Sequence, residues 1–212
     1  PGAAALLAQA ESPRRMHVSI LHAFRHNPFT DGARELFDSA AQGRIDTFFL
    51  GGVQIDGQAN INLVGIGDYP AMKKRFPGSF GSALMYFAVP RVILFREEHS
   101  PRTLVERVDF ISAPGVSEPG VWRPGGPKAL VTNRAVFAFD PARARFRLES
   151  VHPGETPESV AEATGFAFDS ARDVAETPAP APDRLAILRR EVAPKVAEFY
   201  PRFAAKVWNL AA

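Results

Sequence analysis

Apolar positions along this chain switch between helical spacing and short runs of β type, and the switches mark out an α/β order. Residues 3–10, rich in alanine and leucine, predict a short helix. Pro13 separates them from Met16-His17-Val18-Ser19-Ile20-Leu21, whose β-branched and apolar content predicts a buried strand. After a polar loop from His26 to Thr30, Asp31 or Thr30 can cap a helix that carries Leu36, Phe37 and Ala40 on one face and stops near Gly43. Thr47-Phe48-Phe49-Leu50 predicts the second strand. It ends in Gly51-Gly52, and from there to Asp68 the glycines, asparagines and aspartates predict tight turns and a candidate site.

A second glycine loop, Pro77-Gly78-Ser79-Phe80-Gly81-Ser82, precedes a helix over 83–88, and Arg91-Val92-Ile93-Leu94-Phe95 reads as a strand. Short strands are expected over 107–112 and 129–132. A hairpin is expected over 131–139 with Asn133-Arg134 at its turn, and charged and apolar residues alternate over 145–151 as in a half-exposed strand. Thr156-Pro157-Glu158 opens a helix with threonine as cap, proline in the first turn and Gly165 as terminator. A proline-alanine linker covers 175–182. The tail from Asp183 to Leu210 is helical in pattern, with breaks expected at Pro194 and Pro201. Phe199, Phe203, Val207 and Leu210 recur at steps of three or four, which gives a stripe for the core or a subunit contact. The fold expected is an open, mostly parallel α/β sheet with helices on both faces and an added antiparallel portion.

With 212 residues, 46% of them hydrophobic, and 17 phenylalanines, the chain has material for one sizeable core, so a single domain over 1–212 is expected. The chain opens on Pro1 rather than methionine, and the native protein is expected to extend upstream. Its 25 basic and 23 acidic residues are mixed along the sequence, for a net charge of +2, so no nucleic-acid-binding arm is expected. The absence of cysteine excludes disulfides, thiolate nucleophiles and cysteine-ligated metal. Residues 3–10 are short, lack a basic flank and soon meet Glu11, Arg14 and Arg15, unlike a secretory signal. No apolar run approaches the roughly 18–20 residues needed to cross a bilayer, so a soluble, cytoplasmic protein with no membrane partner is expected. His22 and His26 have the spacing of helical metal ligands, but Asn27-Pro28 disfavours a helix there and no acidic third ligand is near, so no metal is expected. No GxSxG elbow occurs, and Gly65-Ile66-Gly67 lacks the third glycine of a dinucleotide fingerprint.

The segment Phe49-Leu50-Gly51-Gly52-Val53-Gln54-Ile55-Asp56, followed by Gly57-Gln58-Ala59-Asn60-Ile61-Asn62, resembles the GGAQID…GNxN stretch of family I coenzyme A transferases, in the beta-type subunit of the glutaconate CoA-transferase kind. The resemblance continues through Ile66-Gly67-Asp68-Tyr69, Arg75-Phe76-Pro77-Gly78-Ser79, Val108-Asp109-Phe110-Ile111-Ser112-Ala113-Pro114-Gly115 and Gly126-Pro127-Lys128-Ala129-Leu130-Val131-Thr132. It extends to Thr164-Gly165-Phe166 and the helix of Arg189-Arg190-Glu191, and so covers residues 45–193.

That resemblance implies a subunit working beside a homologous alpha-type partner, moving CoA between an acyl-CoA thioester and a carboxylic acid. Coenzyme A is then a substrate carrier, with no permanently bound cofactor. The residues implied at the CoA or substrate site are Gly51, Gly52, Gln54, Asp56, Asn60, Asn62, Gly78, Ser79 and Gly81. Glycines at a strand end let backbone N–H groups approach a thioester carbonyl and its oxyanion. Gln54 is expected to orient a carboxylate or carbonyl, and Asp56, Asn60 and Asn62 also suit the holding of a turn.

In the family a beta-subunit glutamate attacks the thioester, splitting one hard exchange into easier steps. Its expected position falls at Ile20, Leu21 or His22, none of which can form the anhydride, and no acidic residue lies between Glu11 and Asp31. The carboxylate then comes from the partner, or water attacks in a thioester hydrolase or ring-cleaving acyl-CoA hydrolase, or the chain is a noncatalytic assembly subunit. Phe80 stands in a loop usually richer in glycine, and its bulk is expected to narrow the acyl pocket.

Overall fold

A computed structural model describes residues 1–210, so the last two positions of the expected domain lie outside the described residues. Contacts within the chain divide it into two compact units, Asp31–Thr177 and a unit built from Pro1–Thr30 with Pro178–Ala212.

The larger unit is organised by a six-stranded sheet. β1 (Thr47–Gly51) pairs in parallel with β6 (Arg91–Arg96), and β6 in parallel with β7 (Pro127–Thr132). β7 turns back on β8 (Ala135–Asp140), β8 lies antiparallel to β9 (Arg145–Val151), and β9 pairs in parallel with β10 (Asp169–Glu176). This is the mostly parallel sheet with an antiparallel portion that the pattern predicts. Leu50, Val92, Leu94, Leu130, Phe137, Phe146 and Leu148 form its buried side. In β9, Phe146 and Leu148 are buried while Arg147 and Glu149 face out, the alternation expected of a sheet wet on one face.

α2 (Gly32–Ala41) buries Leu36 and Ala40, as its spacing predicts, and packs on α3 (Ser82–Ala88), which in turn packs on β1. α4 (Pro157–Glu162) begins at Thr156 with a reciprocal cap: Ser159 N–H donates to Thr156 Oγ1 at 3.2 Å, and Thr156 N–H to Ser159 Oγ at 3.0 Å. Thr156→Ala is expected to lower the unfolding free energy by about 1 kcal/mol, measured by urea denaturation. Gly165 does not itself end this helix, which stops at Glu162. It instead lies against Leu104, donating its N–H to that carbonyl at 2.7 Å.

Two further sequence expectations are corrected in this unit. Residues 107–112 form no strand, because their amides are taken by loop groups: Val108 N–H by Asp56, Asp109 N–H by Gln54, and Ser112 N–H by the Ile61 carbonyl. The linker does not begin at 175, since Ala175 and Glu176 pair with Ser150 and Val151 of β9. β10 itself gives no alternating signal, being a mostly exposed edge of small and charged residues.

In the smaller unit, α1 (Gly2–Glu11) sets Leu6 against Val192 and Val196, with Ile20, Phe199 and Trp208 packed around them. The expected strand at 16–21 is absent. Its backbone turns on itself, with Ile20 N–H donating to the His26 carbonyl at 2.8 Å and Ala23 N–H to the Ile20 carbonyl at 2.9 Å, so no ladder forms. Met16 and Leu21 are exposed. The break expected at Pro194 is a widening: α5 (Pro182–Ile187) runs through a π-helical turn, Leu188–Val192, into α6 (Ala193–Phe199). A proline ring crowds the carbonyl four residues back, and the wider turn relieves that contact. Pro201 does break the helix, with α7 (Pro201–Trp208) starting anew after Tyr200. In α7 Phe203 and Val207 are exposed, while Phe199 is partly buried. Among the described residues no helix is long and apolar enough to cross a membrane.

Candidate functional site

The glycine-rich segment after β1 folds into two short hairpins, made from β2 (Gln54–Ile55) with β3 (Ile61–Asn62) and from β4 (Gly65–Ile66) with β5 (Lys74–Arg75). Four of the polar residues singled out from the sequence are buried together in it: Gln54, Asp56, Asn60 and Asn62. Most of their hydrogen-bonding capacity goes into the loop itself. Asp56 Oδ1 accepts from the N–H groups of Gln58 and Asn60, and Oδ2 from the Asn60 carboxamide at 3.1 Å and Val108 N–H at 3.4 Å. Asn60 Oδ1 accepts from Gly115 N–H. Asn62 is saturated: its Nδ2 donates to Gln54 Oε1 and the Gly65 carbonyl, both at 2.7 Å, and its Oδ1 accepts from Val64 and Gly65 N–H.

Gln54 differs from the other three. Its Oε1 is fixed by two donors, Asn62 Nδ2 at 2.7 Å and Asp109 N–H at 3.0 Å, whereas among the described residues its Nε2 has no acceptor. An amide held by its oxygen presents its two N–H bonds in a set direction, which is the preorganisation a developing oxyanion needs.

The second loop is fixed by packing. Gly78 has φ +108° and Phe80 φ +49°, and Ser82 N–H donates to the Ser79 carbonyl. At Gly81 a Cβ would lie 2.0 Å from the Phe37 ring, so a larger residue here would displace that ring. Phe80 turns outward, 78% exposed, with its ring centroid 5.5 Å from that of Phe37. Both loops are tied to α3: the second leads into it, and in the first the Ala59 carbonyl accepts from Tyr86 Oη at 2.9 Å. Burial raises the Tyr86 pKa, keeping the hydroxyl a donor.

Ile20, Leu21 and His22 lie in the smaller unit, in the turn described above, and supply no carboxyl group. The sequence reading passed over the charged run that closes β6. Arg96 Nη1 donates to the Gly52 carbonyl at 3.2 Å, Nη2 lies 3.7 Å from Glu98, and its buried Nε has no partner among the described residues. A cavity of about 450 Å³ is lined by Arg96, Glu97 and Glu98. The signal was present as three consecutive charges ending an apolar strand, at the carboxyl edge of parallel strands where α/β sheets place their ligands. Glu98 is held by Arg102 through both carboxylate oxygens, at 3.1 and 2.7 Å, and by Ser100; the Arg102 and Ser100 hydrogen bonds bring its pKa down to about 2.

His99, next in the chain, is buried between two threonines, with Nδ1 2.8 Å from Thr132 Oγ1 and Nε2 2.8 Å from Thr164 Oγ1. Burial, with Arg134 adding to it, lowers its pKa to about 4, so at neutral pH it is an uncharged bolt between the ends of β6, β7 and α4.

The sequence profile described as Coenzyme A transferase matches residues 9–163. The chain is 39% identical over 153 residues to the beta-type subunit of the 3-oxoadipate CoA-transferase of Pseudomonas knackmussii, covering 69% of this chain and 58% of that one. It is 35% identical over 153 residues to the beta-type subunit of the glutaconate CoA-transferase of Acidaminococcus fermentans, covering 69% of this chain and 56% of that one. The crystal structure of that organism's glutaconate coenzyme A-transferase superimposes with a TM-score of 0.77 at 25% identity, over 93% of this chain and 86% of the other. Rhodococcus jostii IpdAB superimposes with a TM-score of 0.78 at 25% identity, over 91% and 83%. The chain thus spans less than two-thirds of the length of the two transferase subunits it matches in sequence. A profile match across most of the chain, two relatives above 30% identity and the same mixed sheet establish that this chain belongs to the coenzyme A transferase family.

Proposed function

We propose that this chain is the beta-type subunit of a CoA transferase, moving CoA between an acyl-CoA thioester and a carboxylic acid alongside an alpha-type partner. The observation that carries this reading is the unspent Nε2 of Gln54, held at the end of the glycine-rich strand in a chain of this family. In this reading the thioester carbonyl sits against Gln54 Nε2 and backbone amides of the Gly51-Gly52 and Gly78-Ser79 turns. Those donors stabilise the negative charge that grows on the carbonyl oxygen as it is attacked. Asp56, Asn60 and Asn62 keep Gln54 and its loop in place and do not themselves meet the substrate.

The attacking carboxylate is assigned to the partner subunit. Residues 20–22 carry none, and Glu98 is committed to Arg102 and Ser100, where its lone pairs are occupied. Since acyl-CoA thioesters are intracellular metabolites, the reaction belongs in the cytoplasm.

A second reading is hydrolysis of a CoA thioester. It is favoured by the hydrocarbon and imidazole side chains where the glutamate is expected, and by the likeness to a cholesterol ring-cleaving hydrolase IpdB subunit of Rhodococcus jostii, 28% identical over 166 residues. The two are separated by co-expressing the chain with its alpha-type partner and incubating the complex with acyl-CoA thioesters in heavy-oxygen water, with and without carboxylate acceptors. Mass analysis is expected to show CoA exchange that depends on the acceptor. Uptake of heavy oxygen without an acceptor would overturn transfer in favour of hydrolysis.

A further inference from the structure

Phe80 is doubly unfavourable where it stands. Its φ of +49° lies in the left-handed region, where a bulky side chain is rare because Cβ crowds the following carbonyl. Its ring is also 78% exposed, so burial within this chain offsets little of that strain. Glycine would take the same backbone conformation freely. Strain kept at one residue of a loop beside a binding site points to a use for its side chain.

The ring is fixed from behind and open in front. Its centroid lies 5.5 Å from that of Phe37, with the planes at 48°, and Phe37 in turn lies against Gly81, where a Cβ would come within 2.0 Å of it. Leu84, in the first turn of α3, is exposed as well, so a second apolar side chain is uncovered close by in the chain. The whole stretch from Phe76 to Pro90 carries no charged residue. Phe80 therefore does not fill a cavity of this chain, but stands out from the loop as a supported, uncharged surface.

Resting on the function proposed above, we infer that Phe80 sets which acyl groups the enzyme takes, favouring a ring or branched hydrocarbon body over a short chain that ends in a second carboxylate. In that reading the Gly78-Ser79 turn holds the thioester carbonyl, and Phe80 is the next residue, its Cα about 3.8 Å from that of Ser79. The acyl group attached to the carbonyl passes alongside the ring. An apolar body gains there by leaving water and by contact with the ring face. A carboxylate loses its water without gaining a cation, and the ring face is the negative pole of its quadrupole. Glycine in place of Phe80 would leave that side of the site open to both.

The test is kcat/KM of the complete complex, this chain with its alpha-type partner, for cyclohexanecarbonyl-CoA and for glutaryl-CoA. Wild type is compared with Phe80→Gly and with Phe80→Leu, which keeps an apolar side chain but has no flat face; urea denaturation checks that each variant is folded, and Phe80→Leu carries the comparison if the glycine variant is not. Wild type should prefer cyclohexanecarbonyl-CoA. In Phe80→Gly the ratio of kcat/KM for cyclohexanecarbonyl-CoA to that for glutaryl-CoA should fall about tenfold, the size expected for removing one apolar wall, with Phe80→Leu in between. An unchanged ratio in the variants, a wild-type preference for glutaryl-CoA, or activity on neither thioester while other acyl-CoA thioesters react, would overturn the assignment and leave the CoA function standing. An equal fall for both thioesters would overturn it too, as the effect of a residue that only shapes the loop. Loss of subunit association in the variants would overturn it by making the ring an interface contact. Failure of wild type to act on any acyl-CoA thioester would remove the functional reading and this one with it.

Discussion

Replacing Asp56 with alanine is expected to lower the unfolding free energy by about 3 kcal/mol and to loosen the loop that carries Gln54. The carboxylate is buried and accepts four hydrogen bonds, three of them from backbone amides at Gln58, Asn60 and Val108. Alanine leaves those donors facing a dry gap. Each unsatisfied buried group costs about 1–3 kcal/mol, and partial access of water to the rim of the loop keeps the sum below the simple total. Asp56→Asn should lose less, since it keeps one acceptor oxygen but turns an amide N–H towards Val108 N–H or the Asn60 carboxamide. Urea denaturation gives the stability ranking, and hydrogen exchange at Gln58, Asn60 and Val108 reports the loop. If Asp56→Ala is as stable as wild type and its amides remain protected, the carboxylate is not what fastens the segment.

The same residue shows where sequence reading stops. The segment over 51–62 was legible as a special loop because glycine, asparagine and aspartate have no other common use at that density after a strand. What Asp56, Asn60 and Asn62 do there was not legible. The distant partners of Asp56 and Asn60 are Val108 and Gly115, more than fifty residues along the chain, and no local pattern predicts such a bond. The same bonds explain the missing strand at 107–112, where β-like residues spend their amides on side chains of the loop. The buried parallel strands were read correctly, since an apolar run such as Val92 to Phe95 has little use outside a core. The run at 16–21 carried the same composition, but it found local turn bonds in place of a partner strand, and composition cannot distinguish the two.

A similar limit applies to the end of β6. Arg96, Glu97 and Glu98 were visible as charges, but a charged run after a strand usually means only that the chain has reached solvent. Their interest comes from position: β1 and β6 run in parallel register, Gly51 beside Phe95, which brings the Gly52 carbonyl to the Arg96 guanidinium. That contact joins the glycine turn to a charged cluster at the carboxyl end of β6. It also leaves Arg96 partly neutralised by Glu98, so the cluster favours holding the turn over capturing a second anion.

Acidification is expected to weaken the larger unit between pH 6.5 and about 4, through His99. Its pKa in the folded chain is near 4, against 6.5 for an ordinary histidine, because protonation would place a charge in a buried site between threonine hydroxyls, with Arg134 nearby and only Glu155 opposing. The unfolded chain therefore takes up a proton where the folded one does not. The stability that His99 contributes is complete above pH 6.5, falls as pH drops and is spent near pH 4, with a total on the order of 2 kcal/mol. Carboxylates held low, such as Asp169, where desolvation is outweighed by Arg145 and Arg143, lose their contribution only further down, so the decline from pH 6.5 to 5 isolates the histidine. His99→Gln should be less stable than wild type at pH 7.5, because an amide cannot reach both Thr132 and Thr164, but its stability should be nearly flat from pH 6.5 to 5. Urea midpoints for the two proteins across that range decide the matter. Parallel decline in both would assign the acid sensitivity to other groups, whereas convergence of the two curves as pH falls would identify the loss as the cost of protonating this buried ring.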